Sequence, residues 1–306
     1  MKKLIFLLLV LVLFPALAKA QQDALFSQYM FNMLLVNPAY AGSREVVSLN
    51  ALGRKQWIGI PGAPETATFS ADMPFRNETM GAGITLFNDR IGVFSNTGMY
   101  ASYAYRLQLT KSTLLSAGVS AGFTNFQANF TSVQLDEFGN SGDLAFSQDL
   151  SRFLPNVGIG LFLNSDKYYI GFSIPQMLTN RLDLDRSYSA RQYRHIFLMG
   201  GYVFTLNQHL KLKPSTLIKQ VHGAPIQVDL NANLWLYDRY SVGISYRSLT
   251  APVLILEMQL LDQFRLGYAF DYTHSQLRYY NNGTHEIMLR YEFGYDKRKM
   301  VSPRHF

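Results

Sequence analysis

The segment 226–236, IQVDLNANLWL, alternates with a period of two. Ile226, Val228, Leu230, Ala232, Leu234 and Leu236 fall on one side, and Gln227, Asp229, Asn231, Asn233 and Trp235 on the other. Successive strand side chains point to opposite faces, so this is a strand with one apolar and one polar face. The period recurs in 114–125, where Ser116, Gly118, Ser120, Gly122 and Thr124 share a side. It recurs in 284–293, where Thr284, Glu286, Arg290 and Glu292 do. Alternating segments separated by turn residues run from 42 to 296. They predict strands at 44–57, 65–73, 79–88, 97–108, 112–126, 154–164, 167–174, 194–205, 208–219, 225–237, 239–248, 252–260, 263–274 and 283–296. That is about fourteen, an even number as a bacterial membrane barrel requires.

A soluble sandwich also alternates, with its apolar face toward a core; in a membrane barrel the apolar face meets lipid and the polar face lines a lumen. Two observations separate these. Every second connection is brief: PFRNE (74–78), LTK (109–111), SDK (165–167), LNQH (206–209), YDR (237–239) and LDQ (261–263). The others include the long 127–153 and 175–193 and the Asn/Gly-rich 275–282. Short periplasmic turns alternating with longer outer loops are barrel architecture. The polar faces, moreover, carry mostly Gly, Ser, Asn and Thr rather than the Lys and Glu of a water-facing sheet. The expected fold is therefore an all-β, antiparallel transmembrane barrel with a polar lumen, spanning 42–296.

Composition agrees. Charged residues make up 16% of the chain, against about 25% in soluble domains. Aromatics make up 14%, as suits a lipid belt with Tyr, Phe and Trp at its interfaces. There is no Cys, which excludes disulfides, thiolate chemistry and a lipoprotein anchor. Residues 1–20, MKKLIFLLLVLVLFPALAKA, have the basic start, short apolar run and small-residue end of a secretory signal, with cleavage expected after Ala20. The formal charge of +7 drops to +4 without Lys2, Lys3 and Lys19. It drops to zero without Lys297, Arg298, Lys299 and Arg304 of the basic tail 297–306. No basic groove remains, so nucleic acid is not an expected partner.

Segment 21–41 breaks the pattern. Phe26, Met30 and Met33 or Leu34 fit one helix face, with Asn37-Pro38 ending the helix; a strand-like lead-in is the other reading. Its apolar residues must be buried, and the segment is expected to pack in or under the periplasmic mouth. Phe26, Tyr29, Met30, Phe31, Asn37 and Pro38 are its candidate partner-binding residues, since aromatics and Met serve as binding anchors.

Candidate chemistry is sparse. GVSAG (118–122) matches the G-x-S-x-G elbow, but that motif needs a sharp strand-to-helix turn and here lies inside an alternating run. The histidines His195, His209, His222, His274, His285 and His305 are scattered. No metal site is expected from them, and His195 and His285 fall on lipid-side or interface positions. DEFGNSGD (136–143) misses the EF-hand spacing and reads as a solvated outer loop. Asp229, Glu257, Arg265, Asp271, Glu286, Arg290 and Glu292 lie on polar faces with both signs interdigitated, as in a salt-bridge network that fills a lumen. Glu257 and Arg265 flank one tight turn and are expected to face each other across it. No catalytic residue and no cofactor is expected.

FSQYMFNMLLVNPAYAG (26–42) after a signal peptide resembles the opening of the PorP/SprF family. LKPSTLIK (212–219), QVDLNANLWLYDRYSVGISYR (227–247), LGYAFDYT (266–273) and HEIMLRYEF (285–293) are similar to later parts of it, so the resemblance runs from about residue 22 to 295. It implies an outer-membrane component of type IX secretion in the Bacteroidota, linked to gliding motility and to retaining secreted adhesins that carry a C-terminal secretion domain. It also implies a periplasmic peptidoglycan-associated partner. On this reading loops 127–153 and 175–193 hold cargo, and the periplasmic face with segment 21–41 holds the partner. A barrel transporter of hydrophobic small molecules is the alternative, ahead of a general porin and a barrel hydrolase.

Overall fold

The computed structural model describes residues 26–76, 78–132, 148–181, 191–248, 252–273 and 276–293. The expected signal peptide, the basic tail, the loop 136–143, and His274 and His305 lie outside these residues.

The strands are β1 Val47–Lys55, β2 Glu65–Pro74, β3 Met80–Ile91, β4 Phe94–Gln108, β5 Thr113–Ala128, β6 Leu150–Ser165, β7 Tyr168–Ile174, β8 His195–Tyr202, β9 Phe204–Thr205, β10 Leu210–Val221, β11 Gln227–Leu236, β12 Tyr240–Arg247, β13 Pro252–Leu261, β14 Phe264–Asp271 and β15 Thr284–Phe293. β8 and β9 are pieces of one stave, since Gly201 opposite Ser215 and Thr205 opposite Lys211 keep a single register against β10. The interruption at Val203 lies beside Pro214, which has no N–H to give the ladder. Each stave pairs antiparallel with its sequence neighbours. β15 returns to β1, from Val47 opposite Phe293 to Lys55 opposite His285. The result is a closed barrel of fourteen staves.

Every stave overlaps an expected strand. One connection is much shorter than the pattern suggested: β3 and β4 continue to Ile91 and from Phe94, leaving Gly92-Val93 as the turn. Gly92 takes φ 55°, the left-handed conformation that a two-residue hairpin turn demands. Otherwise short turns cluster at one end, where β1 begins and β15 ends, and the long connections lie at the other. In an outer-membrane barrel the first end is periplasmic and the second faces out.

The parity is as the alternation requires. Val119, Leu161, Ile170, Leu198, Leu230, Ile244 and Ile287 project outward as an aliphatic belt. Phe75, Tyr105, Tyr202, Tyr237, Tyr240 and Phe293 are exposed near the periplasmic rim, where rings with one apolar and one polar end match a membrane interface. Ser116, Ser120, Asp229, Asn231, Glu257 and Glu286 point inward and are buried.

Candidate functional site

The lumen is filled by the chain's own N-terminal segment. Residues 26–46 lie inside the barrel: the Gly42 amide bonds Asp72 near the periplasmic end of β2, and the Phe26 carbonyl accepts from Arg247 at the outer end of β12. The single helix expected here is replaced by three 3-10 turns, Tyr29–Phe31, Met33–Leu35 and Pro38–Tyr40. A helix with one apolar face suits a segment with one wet side. This one has wall on every side, and Phe26, Tyr29, Met30, Phe31, Met33, Leu34, Val36 and Tyr40 are all buried. The packing expected in or under the mouth is thus a plug along the lumen. Its six candidate partner-binding residues, Phe26, Tyr29, Met30, Phe31, Asn37 and Pro38, all lie inside the wall and present no periplasmic surface.

The wall is shaped to receive it. Apolar side chains interrupt the polar inner face along its path: Phe162, Tyr169, Met199, Leu217, Trp235, Ile255 and Met288 form one cluster with the plug. Phe31 meets Trp235 edge-on at 6.4 Å, and Tyr40 meets Phe162 edge-on at 5.4 Å, the geometry that ring quadrupoles favour. Inward glycines supply the groove. A side chain at Gly81 would strike the Ala41 carbonyl, one at Gly118 the Ala39 backbone, and one at Gly160 the Asn37 amide oxygen. Gly118 therefore makes room for the plug. Ser120 sits within an unbroken ladder, not on the sharp turn that a nucleophile elbow needs.

Polar contacts fix the plug in register. The Glu286 carboxylate accepts from the backbone amides of Ser27 and Gln28, at 2.9 and 2.8 Å. Arg54 donates to the Ser27 hydroxyl at 2.9 Å and to Glu286 at 3.0 Å. Asn231 donates to the Tyr29 hydroxyl at 2.7 Å, Asn32 to Ser70 at 2.9 Å, and Ser173 to the Val36 carbonyl at 2.6 Å. Asn37 accepts from the Ala39 amide at 3.0 Å and donates to the Leu161 carbonyl of β6 at 3.0 Å. It thereby caps the turn that Pro38 opens and ties that turn to the wall. At the periplasmic end the Gly42 amide donates to Asp72 at 2.8 Å, and Arg106 donates to the Ala41 carbonyl at 3.2 Å. Buried backbone groups of an irregular segment must find such partners, because no ladder provides them.

The seven lumen charges all face inward and fall into ion pairs. Arg265 lies 3.1 Å from Glu257, Arg54 lies 3.4 Å from Asp271 and 3.0 Å from Glu286, and Arg247 lies 3.0 Å from Asp229. Glu292 pairs with Arg44 and lies 3.8 Å from Arg290. Glu257 and Arg265 are not directly opposed, however: Glu257 faces Gly267, and Arg265 faces Gln259. The bulge at Gln259–Leu261 sets the pair on a diagonal. Sequence reasoning missed Arg44, Arg54 and Arg247, although Arg54 has the inward parity of Ser48, Asn50 and Leu52. His285 projects from the outer face and bonds Tyr268 at 2.7 Å. His195 is a correction: it points inward, buried, and stacks on Phe197 at 6.1 Å.

On the outer side of the plug lies a cavity of about 640 Å³. Phe26, Leu34, Leu35, Val36 and Pro38 line its plug side. Thr66, Thr85, Ser102, Ser120 and Thr124 line one wall, with Phe87, Phe94, Tyr100 and Phe126. Arg191, Tyr193, His195, Phe197 and Lys219 line the other. Plug residues close the inner side of this vestibule.

A family model described as type IX secretion system membrane protein PorP/SprF matches residues 18–291. The comparison with curated proteins gives no match. Among solved structures, the chain is similar to the CymD monoaromatic hydrocarbon channel, at 11% identity and TM-score 0.49 over 89% of this chain and 94% of that one. It is similar to the P. putida toluene transporter TodX, at 10% identity and TM-score 0.47 over 85% and 94%. It is similar also to the KdgM porin, at 9% identity and TM-score 0.39 over 81% and 99%. At these levels the structural likenesses bear on no functional assignment. The family match covers most of the chain, and the closed barrel has a lipid-facing belt. The chain belongs to the PorP/SprF family of type IX secretion system membrane proteins and resides in the bacterial outer membrane.

Proposed function

We propose that this barrel is a docking component of type IX secretion, which retains a secreted adhesin-like protein at the cell surface through that protein's C-terminal secretion domain. One observation supports this above others: the lumen is filled from Phe26 to Gly42 by bonded, close-packed chain, and its remaining cavity lies on the outer side. Such a barrel offers a receptor face rather than a passage. On this reading the outer loops and vestibule rim hold cargo, and a peptidoglycan-associated protein meets the periplasmic turns. Tethering an adhesin from both sides is what gliding motility asks of an anchor. Because the former anchor candidates are enclosed, the periplasmic partner contacts the rim and not the plug. A second reading, transport of hydrophobic small molecules, draws on the apolar plug side of the vestibule.

Affinity purification of the tagged protein from native outer membranes separates the two readings. Co-purification of a large secreted protein that depends on its C-terminal domain supports docking. Its absence, together with uptake of a hydrophobic solute that is lost on deletion of the gene, replaces docking with transport.

A further inference from the structure

We infer that the outer vestibule is a binding site for a small amphipathic carboxylate, with its acid held by Lys219 and its apolar body lying against Phe87, Tyr100 and Phe126. The inference stands whether or not cargo docks on this barrel.

Three features of the cavity carry it. First, its charge is segregated. Lys219 faces Phe197 and Val221 faces His195 across the β10–β8 ladder. Lys219 and His195 are therefore diagonal neighbours on one inward face, and both are only 3% exposed while lining the cavity. Arg191 lines the same side. Among the described lining residues the carboxylate is Asp89, which stands on β3 and accepts from the Thr66 hydroxyl at 2.6 Å; Asp229, near Lys219, is already paired with Arg247 at 3.0 Å. A cationic wall in a cavity sheltered from bulk water favours an anion, because the local dielectric strengthens each charge-assisted hydrogen bond.

Second, the wall formed by β3, β4 and β5 sets aromatic rings among its hydroxyls. The Phe87 and Tyr100 rings stack at 6.2 Å with an interplanar angle of 10°, and the Tyr100 hydroxyl is tied to Thr124 at 3.0 Å. This ring pair forms a fixed flat surface, with the plug's Leu34, Leu35 and Val36 completing the apolar lining. A carboxylate with an aromatic or aliphatic body matches the cationic side and this ring surface together.

Third, the size is right. The volume of about 640 Å³ lies within the range of roughly 300–1,000 Å³ found for small-molecule sites. The plug side gives the site a floor, so a ligand is retained rather than passed into the lumen.

The full-length protein in lipid nanodiscs is titrated calorimetrically with naphthoate, with naphthalene methanol and with galacturonate. Saturable binding of naphthoate is expected, about tenfold or more tighter than either of the others, the worth of one charge-assisted hydrogen bond. Lys219→Gln is expected to bring naphthoate down to the level of the alcohol, while Lys219→Arg retains binding. Ser120→Trp, which fills the cavity, is expected to abolish it. Heat-modifiable migration in gels checks that each barrel is folded. Where Lys219→Gln does not fold, Arg191→Gln, which removes the other cation of that side, together with the Lys219→Arg control carries the same comparison. Equal affinity for acid and alcohol, a preference for galacturonate, indifference to both charge-removing substitutions, or no saturable naphthoate binding overturns the assignment.

Discussion

Glu286 and Ser27 stand 259 positions apart, yet the carboxylate of one accepts the backbone amide of the other at 2.9 Å. The same carboxylate takes the Gln28 amide and the Arg54 guanidinium. It is the point where the first described residues meet the last stave. Glu286→Ala leaves two amides without their acceptor and the buried Arg54 guanidinium with Asp271 as its remaining carboxylate. Breaking a buried ion pair from one side costs about 3–5 kcal/mol. Chemical unfolding in lipid should show a loss of that size, and hydrogen exchange should rise first in 26–28. Unchanged protection there would mean that Glu286 does not hold the plug.

Gly118 tests the fit between wall and plug. Gly118→Leu places a side chain where the Ala39 backbone now runs, so the plug must leave or shift. In planar bilayers the native protein should be closed, and the Gly118→Leu barrel should conduct ions. Ala121→Leu puts the same side chain on the same strand but points it to lipid, and should stay closed. Conductance in the native protein would show that the plug does not seal.

Leu230 and Asn231 are adjacent and point to opposite sides of the wall. Leu230→Arg puts a charge in the lipid belt and should cost about 2–4 kcal/mol if the site lies at the bilayer midplane. A polar lumen alone would make Asn231→Arg mild. The structure reverses that expectation: Asn231 is 5% exposed and bonds Tyr29, leaving no room for a longer side chain. Asn231→Arg should therefore unseat the plug, read as faster exchange in 29–35, with the barrel staves still protected. Leu230→Arg should weaken the staves and leave the plug's relative protection unchanged.

Asn37 serves the turn and the wall with one side chain. Asn37→Ala removes the cap on Ala39 and the bond to the Leu161 carbonyl. An N-cap alone is worth about 0.5–2 kcal/mol. Asn37→Ser keeps a capping acceptor for the Ala39 amide but is too short to reach the Leu161 carbonyl, and should recover part of the loss in the same unfolding assay. Equal losses from both would place the whole contribution in the bond to Leu161.

The staves were legible because lipid on one side and lumen on the other impose the strongest period-two signal a chain can carry. Fourteen were read, and fourteen close the barrel. The plug was legible as an exception but not as a shape, since a segment covered on all sides has no periodicity to read. His195 was misplaced for a related reason. In 195–204, HIFLMGGYVF, both faces are apolar, because the inner face there packs on the plug and on its own neighbours, so parity could not be assigned. Of the inward glycines Gly81, Gly118 and Gly160, the alternation identified Gly118 as a small lumen residue. Their meaning as a groove emerges only when three separate staves are set side by side around one segment.

The bonding of Ser27 and Gln28 to β15 has a consequence for how the protein is made. The β1–β15 ladder is the seam that joins the two ends of the barrel sequence and closes the cylinder. The seam brings Glu286 to the plug at the same moment that it brings Met288 and Leu289 to Leu52 and Ala51. Sealing of the cylinder and occupation of its interior thus become one cooperative event of very long loop closure, slow to nucleate for that reason. A cell that inserts many copies of such a barrel gains a safeguard: the step that completes each one is also the step that keeps it from leaking.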